Sequence, residues 1–172
     1  MVGQHKSFRS KQLIETLYHH NDGTRALLDS IIVPEVADSL QNWSNSFNSG
    51  AIIGGIATSY HGKPRVSMEI DLLVQNMNDV HHSNHAYIKL HDPESINLNP
   101  ILAKEVIDSA IESDGVKIAS PSGIVALKLQ RLKRHDIGDI VDMIETGKVD
   151  LTGFTLSKKN IEDFEEIKTR FV

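Results

Sequence analysis

The sequence predicts an α/β (α+β) domain, a small mixed sheet in the middle of the chain with helices on either side. Apolar residues recur at helical spacing in the first and last thirds. Between residues 51 and 91 that spacing gives way to short apolar runs and to period-two alternation. Two helix-start signals, Asn99-Pro100 and Ser120-Pro121, then follow within about twenty residues. A length of 172 residues suits one domain of ordinary size, at about 150 residues per domain. The chain divides by pattern into a helical segment over residues 1–48 and a compact unit over 49–172.

The elements follow in order. Leu13, Ile14 and Leu17 mark one helical stripe, and Leu27, Leu28, Ile31 and Ile32 mark a second that Pro34 ends. Residues 42–50 are rich in Asn and Ser and read as a loop. Ala51-Ile52-Ile53 is a short buried strand leading into Gly54-Gly55, and a short helix spans Ile56 to Tyr60. After a turn at His61-Gly62-Lys63-Pro64, Val66, Met68, Ile70 and Leu72 alternate with Ser67, Glu69 and Asp71 along a strand that Leu73 and Val74 close. Ala86, Ile88 and Leu90 alternate with Tyr87, Lys89 and His91, which predicts another.

Asn99-Pro100 opens a helix expected to run to about Ser113, and a short strand covers residues 115–119. Ser120-Pro121 opens a helix carrying Lys128 and Arg131. Asp136 is read as the cap of the next, whose Ile137, Ile140, Val141 and Ile144 fall at i, i+3, i+4, i+7 before Gly147 ends it. Ser157 begins a last amphipathic helix through Ile161, Phe164, Ile167 and Phe171.

Composition narrows the function classes. Eighteen Lys and Arg against 23 Asp and Glu give a net charge of −5, so no global basic field exists for coating nucleic acid. With no cysteine, disulfides, zinc ribbons and thiol catalysis are excluded together. The first residues lack an apolar stretch of signal-peptide length, and nowhere do about 18 apolar residues run together. A cytoplasmic protein without a membrane partner is the expectation.

Chemistry concentrates at Gly54-Gly55 and Glu69-Ile70-Asp71. Two glycines between a strand and a helix bring backbone N–H groups close to an anion at the helix N-terminus. Carboxylates two apart on a strand project to one side, where they can share a divalent cation with substrate phosphates. Each feature also has a plain reading: a tight turn for the glycines, and the solvated face of an edge strand for the carboxylates. Lys128 and Arg131 could equally be a solvated basic face, Asp136 an N-cap and Asp139 the polar side of its helix. His81, His82, His85 and His91, with Asp92, could ligate zinc or nickel, although surface or hydrogen-bonded histidines account for them as well.

Ile53-Gly54-Gly55-Ile56-Ala57, His61-Gly62-Lys63-Pro64-Arg65 and Glu69-Ile70-Asp71-Leu72-Leu73-Val74 resemble the nucleotidyltransferase superfamily with its DNA-polymerase-β-like palm. The chain is most similar to the small AbiEii-like bacterial nucleotidyltransferases, some of which are toxins of toxin–antitoxin pairs. Residues 126–140, from Ala126-Leu127-Lys128-Leu129 to His135-Asp136-Ile137-Gly138-Asp139-Ile140, resemble that family's lysine-bearing helix and the acidic signature after it.

The resemblance implies Mg²⁺ or Mn²⁺ as cofactor and a nucleoside triphosphate such as ATP as substrate. RNA, a protein hydroxyl or a small molecule would be the acceptor, and an antitoxin protein a partner. Gly54, Gly55 and Arg65 would hold the triphosphate, Glu69 and Asp71 the metal, and Lys128 the phosphates, with Asp136 or Asp139 completing the catalytic set. Glu69 stands where Asp is commoner, and Lys89 and His91 occupy the strand face where a third carboxylate is usual. That departure supports a rival expectation, a module of the same fold that binds a nucleotide or a protein without catalysis.

Overall fold

The computed structural model describes residues 50–63, 69–79, 88–113 and 116–172. The expected N-terminal helices, Arg65, the strand residues 66–68 and His81, His82 and His85 lie outside the described residues. The mixed α/β architecture is as expected, with five α-helices and one five-stranded sheet among the described residues. In chain order these are β1 (Gly50–Ile53), α1 (Gly54–His61), β2 (Ile70–Val74), β3 (Ile88–His91), α2 (Pro100–Asp108), β4 (Ile111–Ser113), β5 (Val116–Ile118), α3 (Pro121–Arg131), α4 (Arg134–Glu145) and α5 (Lys158–Phe171). A 3₁₀ turn at Met77–Asp79 follows β2.

The strands lie in the order β3-β2-β1-β5-β4. β1 runs antiparallel to β2, with Ile53 opposite Asp71, and parallel to β5. β2 runs parallel to β3, with Asp71 beside Lys89 and Leu73 beside His91. β2 is therefore an interior strand. Successive strand residues point to opposite faces, and Leu72, Leu73 and Val74 are all fully buried, so both faces of β2 are covered here. The edge-strand reading of Asp71 fails on this point, because its strand is walled by two neighbours and continues into core.

The helix starts rest on caps visible in the sequence. Asn99 accepts a hydrogen bond from the Ile101 N–H, and Ser120 accepts one from the Gly123 N–H. Ser157 and Asn160 exchange side-chain-to-backbone bonds at the start of α5. α2 stops at Asp108, short of the expected Ser113, because Ile111–Ser113 leave it to form β4. β4 pairs antiparallel with β5, with Ser113 opposite Val116 and two residues between them.

α4 begins at Arg134, two residues ahead of the expected Asp136 cap. Asp136 instead sits within the first turn and accepts a hydrogen bond from the Lys133 N–H at 2.8 Å. Gly147, at φ +70°, lies just beyond the end of α4, as expected of a C-terminal stop. Ile52, Ile70, Leu102, Ile118, Ile124, Ile140 and Met143 form the centre of the core, and Phe164 and Ile167 seat α5 on it. Among the described residues, no helix is long and apolar enough to cross a membrane.

Candidate functional site

A cavity of about 460 Å³ opens where the ends of β1, β2 and β3 meet α3. Gly54, Asp71 and Lys128, widely separated in sequence, all line it. Ile53, Leu98, Ile124 and Leu127 provide an apolar wall, and Asn97 and Gln130 provide amide groups. Among its described lining residues, Asp71 is the one carboxylate, against the three permanent cations Lys89, Lys128 and Arg131.

Gly54 is required by geometry. Its φ of +69° lies in the left-handed region, and a Cβ there would stand 2.6 Å from Asp71 Oδ2. The backbone turning from β1 into α1 thus passes directly over the Asp71 carboxylate. The other carboxylate oxygen, Oδ1, lies 2.8 Å from His91 Nε2. His91 is accordingly a hydrogen-bonded histidine, the plainer of its two expectations. Gly55 lies in the first turn of α1, outside the cavity lining. Glu69 precedes β2, is exposed, and is also outside the lining.

Lys128 is held from behind. It is buried, with Nζ 2.6 Å from Asp139 Oδ2 and 3.3 Å from Asp136 Oδ1. Arg131 grips Asp136 with two bonds, Nε to Oδ2 at 3.1 Å and a terminal nitrogen to Oδ1 at 2.9 Å. Burial alone would push the Asp136 carboxyl up. The Arg131 bonds, the Lys133 N–H and the nearby Lys128 charge outweigh burial and hold it below the ordinary carboxylate range. Asp136 is fully buried, Asp139 nearly so, and neither lines the cavity. Both therefore position cations and stand away from the cavity surface. Their charges offset those of Lys128 and Arg131 behind the cavity wall.

His61 has its ring Nε2 2.8 Å from the Ala119 carbonyl oxygen and is not among the lining residues. Sequence reasoning did not select Lys89, Asn97 or Gln130 as site residues. Alternation puts Lys89 on the polar face of its strand, and the β2–β3 register, which one strand's pattern does not carry, sets it beside Asp71. Gln130 is fixed by α5, donating to Asn160 Oδ1 at 3.0 Å.

The donor set suits one divalent ion better than two. Mg²⁺ is commonly held by one or two carboxylates with substrate phosphates completing the shell, and Asp71 can serve in that way. Among the described residues, no group of three or more His, Asp and Glu side chains is placed to hold a metal ion without such help. No protein-family model matches the chain, and no curated protein matches it.

Proposed function

We propose that the cavity binds a nucleoside triphosphate and that the protein transfers its nucleoside monophosphate to an acceptor hydroxyl. The observation that carries this reading is the meeting of Gly54, Asp71 and Lys128 in one cavity. Its volume falls in the range of small-ligand pockets, about 300–1,000 Å³. In the reaction the acceptor oxygen bonds to the α-phosphorus, the bond from that phosphorus to the β-phosphate oxygen breaks, pyrophosphate leaves, and the hydroxyl proton is released. Mg²⁺ or Mn²⁺ held by Asp71 would supply charge neutralisation on the phosphates.

The chain's own residues bind and orient. Ile53, Leu98, Ile124 and Leu127 give a base an apolar seat. The Gly54 turn lets the chain pass close over the Asp71 carboxylate, and Lys128 faces the phosphates from a position its two aspartates fix. Preorganised cations of this kind stabilise charge without reorganising during the reaction. The acceptor is RNA, a protein hydroxyl or a small molecule, and the toxin–antitoxin association rests on the resemblance alone. The test is incubation with each labelled NTP and Mg²⁺ or Mn²⁺, in the presence of RNA and protein acceptors. Label must move to an acceptor from wild type and not from Asp71→Asn.

A second reading is favoured by the single carboxylate in the cavity wall. On that reading the same pocket binds a nucleotide without transferring it. Saturable NTP binding with no label transferred would select it.

A further inference from the structure

We infer that Lys89 binds the phosphate chain of the substrate and supplies, from the protein itself, positive charge that a second divalent ion would otherwise bring. The inference rests on the nucleotide reading above and assigns it a further residue. β2 and β3 are parallel neighbours, and Asp71 on one is paired in register with Lys89 on the other. Paired positions carry their side chains to the same face, and both residues line the cavity.

The Asp71 carboxylate does not consume the Lys89 charge. Its Oδ1 is engaged by His91 and its Oδ2 faces Gly54, and among the described residues Lys89 makes no salt bridge. Lys128 and Arg131, by contrast, are both tied to aspartates behind the wall. Lys89 is thus the cavity cation with its ammonium uncommitted, on an exposed, flexible stem that can follow a phosphate. An ammonium in that place disfavours a second dication in addition to one held by Asp71. The same charge attracts a polyphosphate, which needs several positive groups to enter a cavity with apolar walls.

The test is calorimetry on the full chain with each of the four ribonucleoside triphosphates, with EDTA or with Mg²⁺. Wild type is expected to bind at least one of them in EDTA. Lys89→Gln should weaken that binding by about tenfold or more, and Lys89→Arg should restore it to within about threefold. Affinity for the corresponding nucleoside, which has no phosphates, should be the same in wild type and Lys89→Gln. Lys89→Glu should bind the triphosphate with Mg²⁺ and lose it in EDTA. Unaltered thermal midpoints in all three variants exclude a folding cause. Equal triphosphate affinity of wild type and Lys89→Gln overturns the inference while leaving the nucleotide reading intact. So does wild-type binding that appears with Mg²⁺ and is absent in EDTA. Wild type that binds none of the four in either buffer overturns the nucleotide reading and this inference with it.

Discussion

Replacing Asp136 with Asn removes one negative charge from a fully buried position while keeping the side-chain shape. The carboxylate accepts from Arg131 twice, from the Lys133 N–H and from Lys128. Hydrogen bonds to charged groups contribute about 1.5–3 kcal/mol each. The Arg131 side chain is 53% exposed, so water takes over part of what it loses, and its share is discounted. Lys128 keeps Asp139 at 2.6 Å, which limits its loss. The net cost is therefore set near the lower end of the ~3–5 kcal/mol measured when one partner of a buried ion pair is removed, about 3 kcal/mol. At about 2–4 °C per kcal/mol for a chain of this size, the thermal midpoint should fall by about 6–12 °C.

Urea unfolding followed by circular dichroism, repeated across pH, measures the same quantity with a sign attached. Asp136 has a folded pKa below its unfolded one. Its charge-dependent stabilisation is therefore complete above the unfolded carboxylate value of about 4 and is lost as pH falls through the folded value. The gap between wild type and Asp136→Asn should be constant from about pH 8 to 5 and should narrow in acid. A variant within about 0.5 kcal/mol of wild type near neutral pH, or a gap that widens on acidification, refutes the assignment of Asp136 as the buried anchor of Lys128 and Arg131.

Gly54→Ala should lose at least about 2 kcal/mol, combining the left-handed backbone penalty with the close approach to Asp71, and should also lose nucleotide affinity. Unchanged urea midpoints would contradict this. Gly138→Ala is the matched control: it lies inside α4 with nothing within 4 Å of the added Cβ, so it should stabilise by about 0.5–1 kcal/mol. Asp71→Asn should abolish label transfer in the NTP assay while changing stability by under about 1 kcal/mol, because its bond to His91 lies in a partly open cavity. A large loss of stability with transfer intact would make Asp71 a structural residue.

Much of this arrangement is legible in the sequence. The helix starts at Asn99, Ser120 and Ser157 were readable because the cap and the following Pro or amide act locally. β4 is not legible in the sequence because Ile111 extends the helical apolar spacing of α2. Residue type and order single out Gly54, Asp71 and Lys128, and the fold brings them to one cavity. Spacing within one strand could not show which neighbours flank it. It therefore placed Glu69 and Asp71 together, while register across strands placed Asp71 with Lys89 and His91. The buried roles of Asp136 and Asp139 were hidden for a related reason. An aspartate near a helix start looks the same in sequence whether it faces water or a lysine one helix away.

The corner between α3 and α4 sets a ruler on the chain. Leu132 turns it with a φ of +39°, and two residues later α4 sets off in a direction that returns Asp136 and Asp139 to Lys128. One residue inserted at this corner would rotate the face of α4 by about 100° and carry both carboxylates away from the lysine. Lys-x2-Arg-x4-Asp-x2-Asp, residues 128 to 139, is therefore a fixed interval. Distant relatives that share this site should show no length variation between the lysine and its second aspartate. Their kinship would be easier to detect from that spacing than from overall identity.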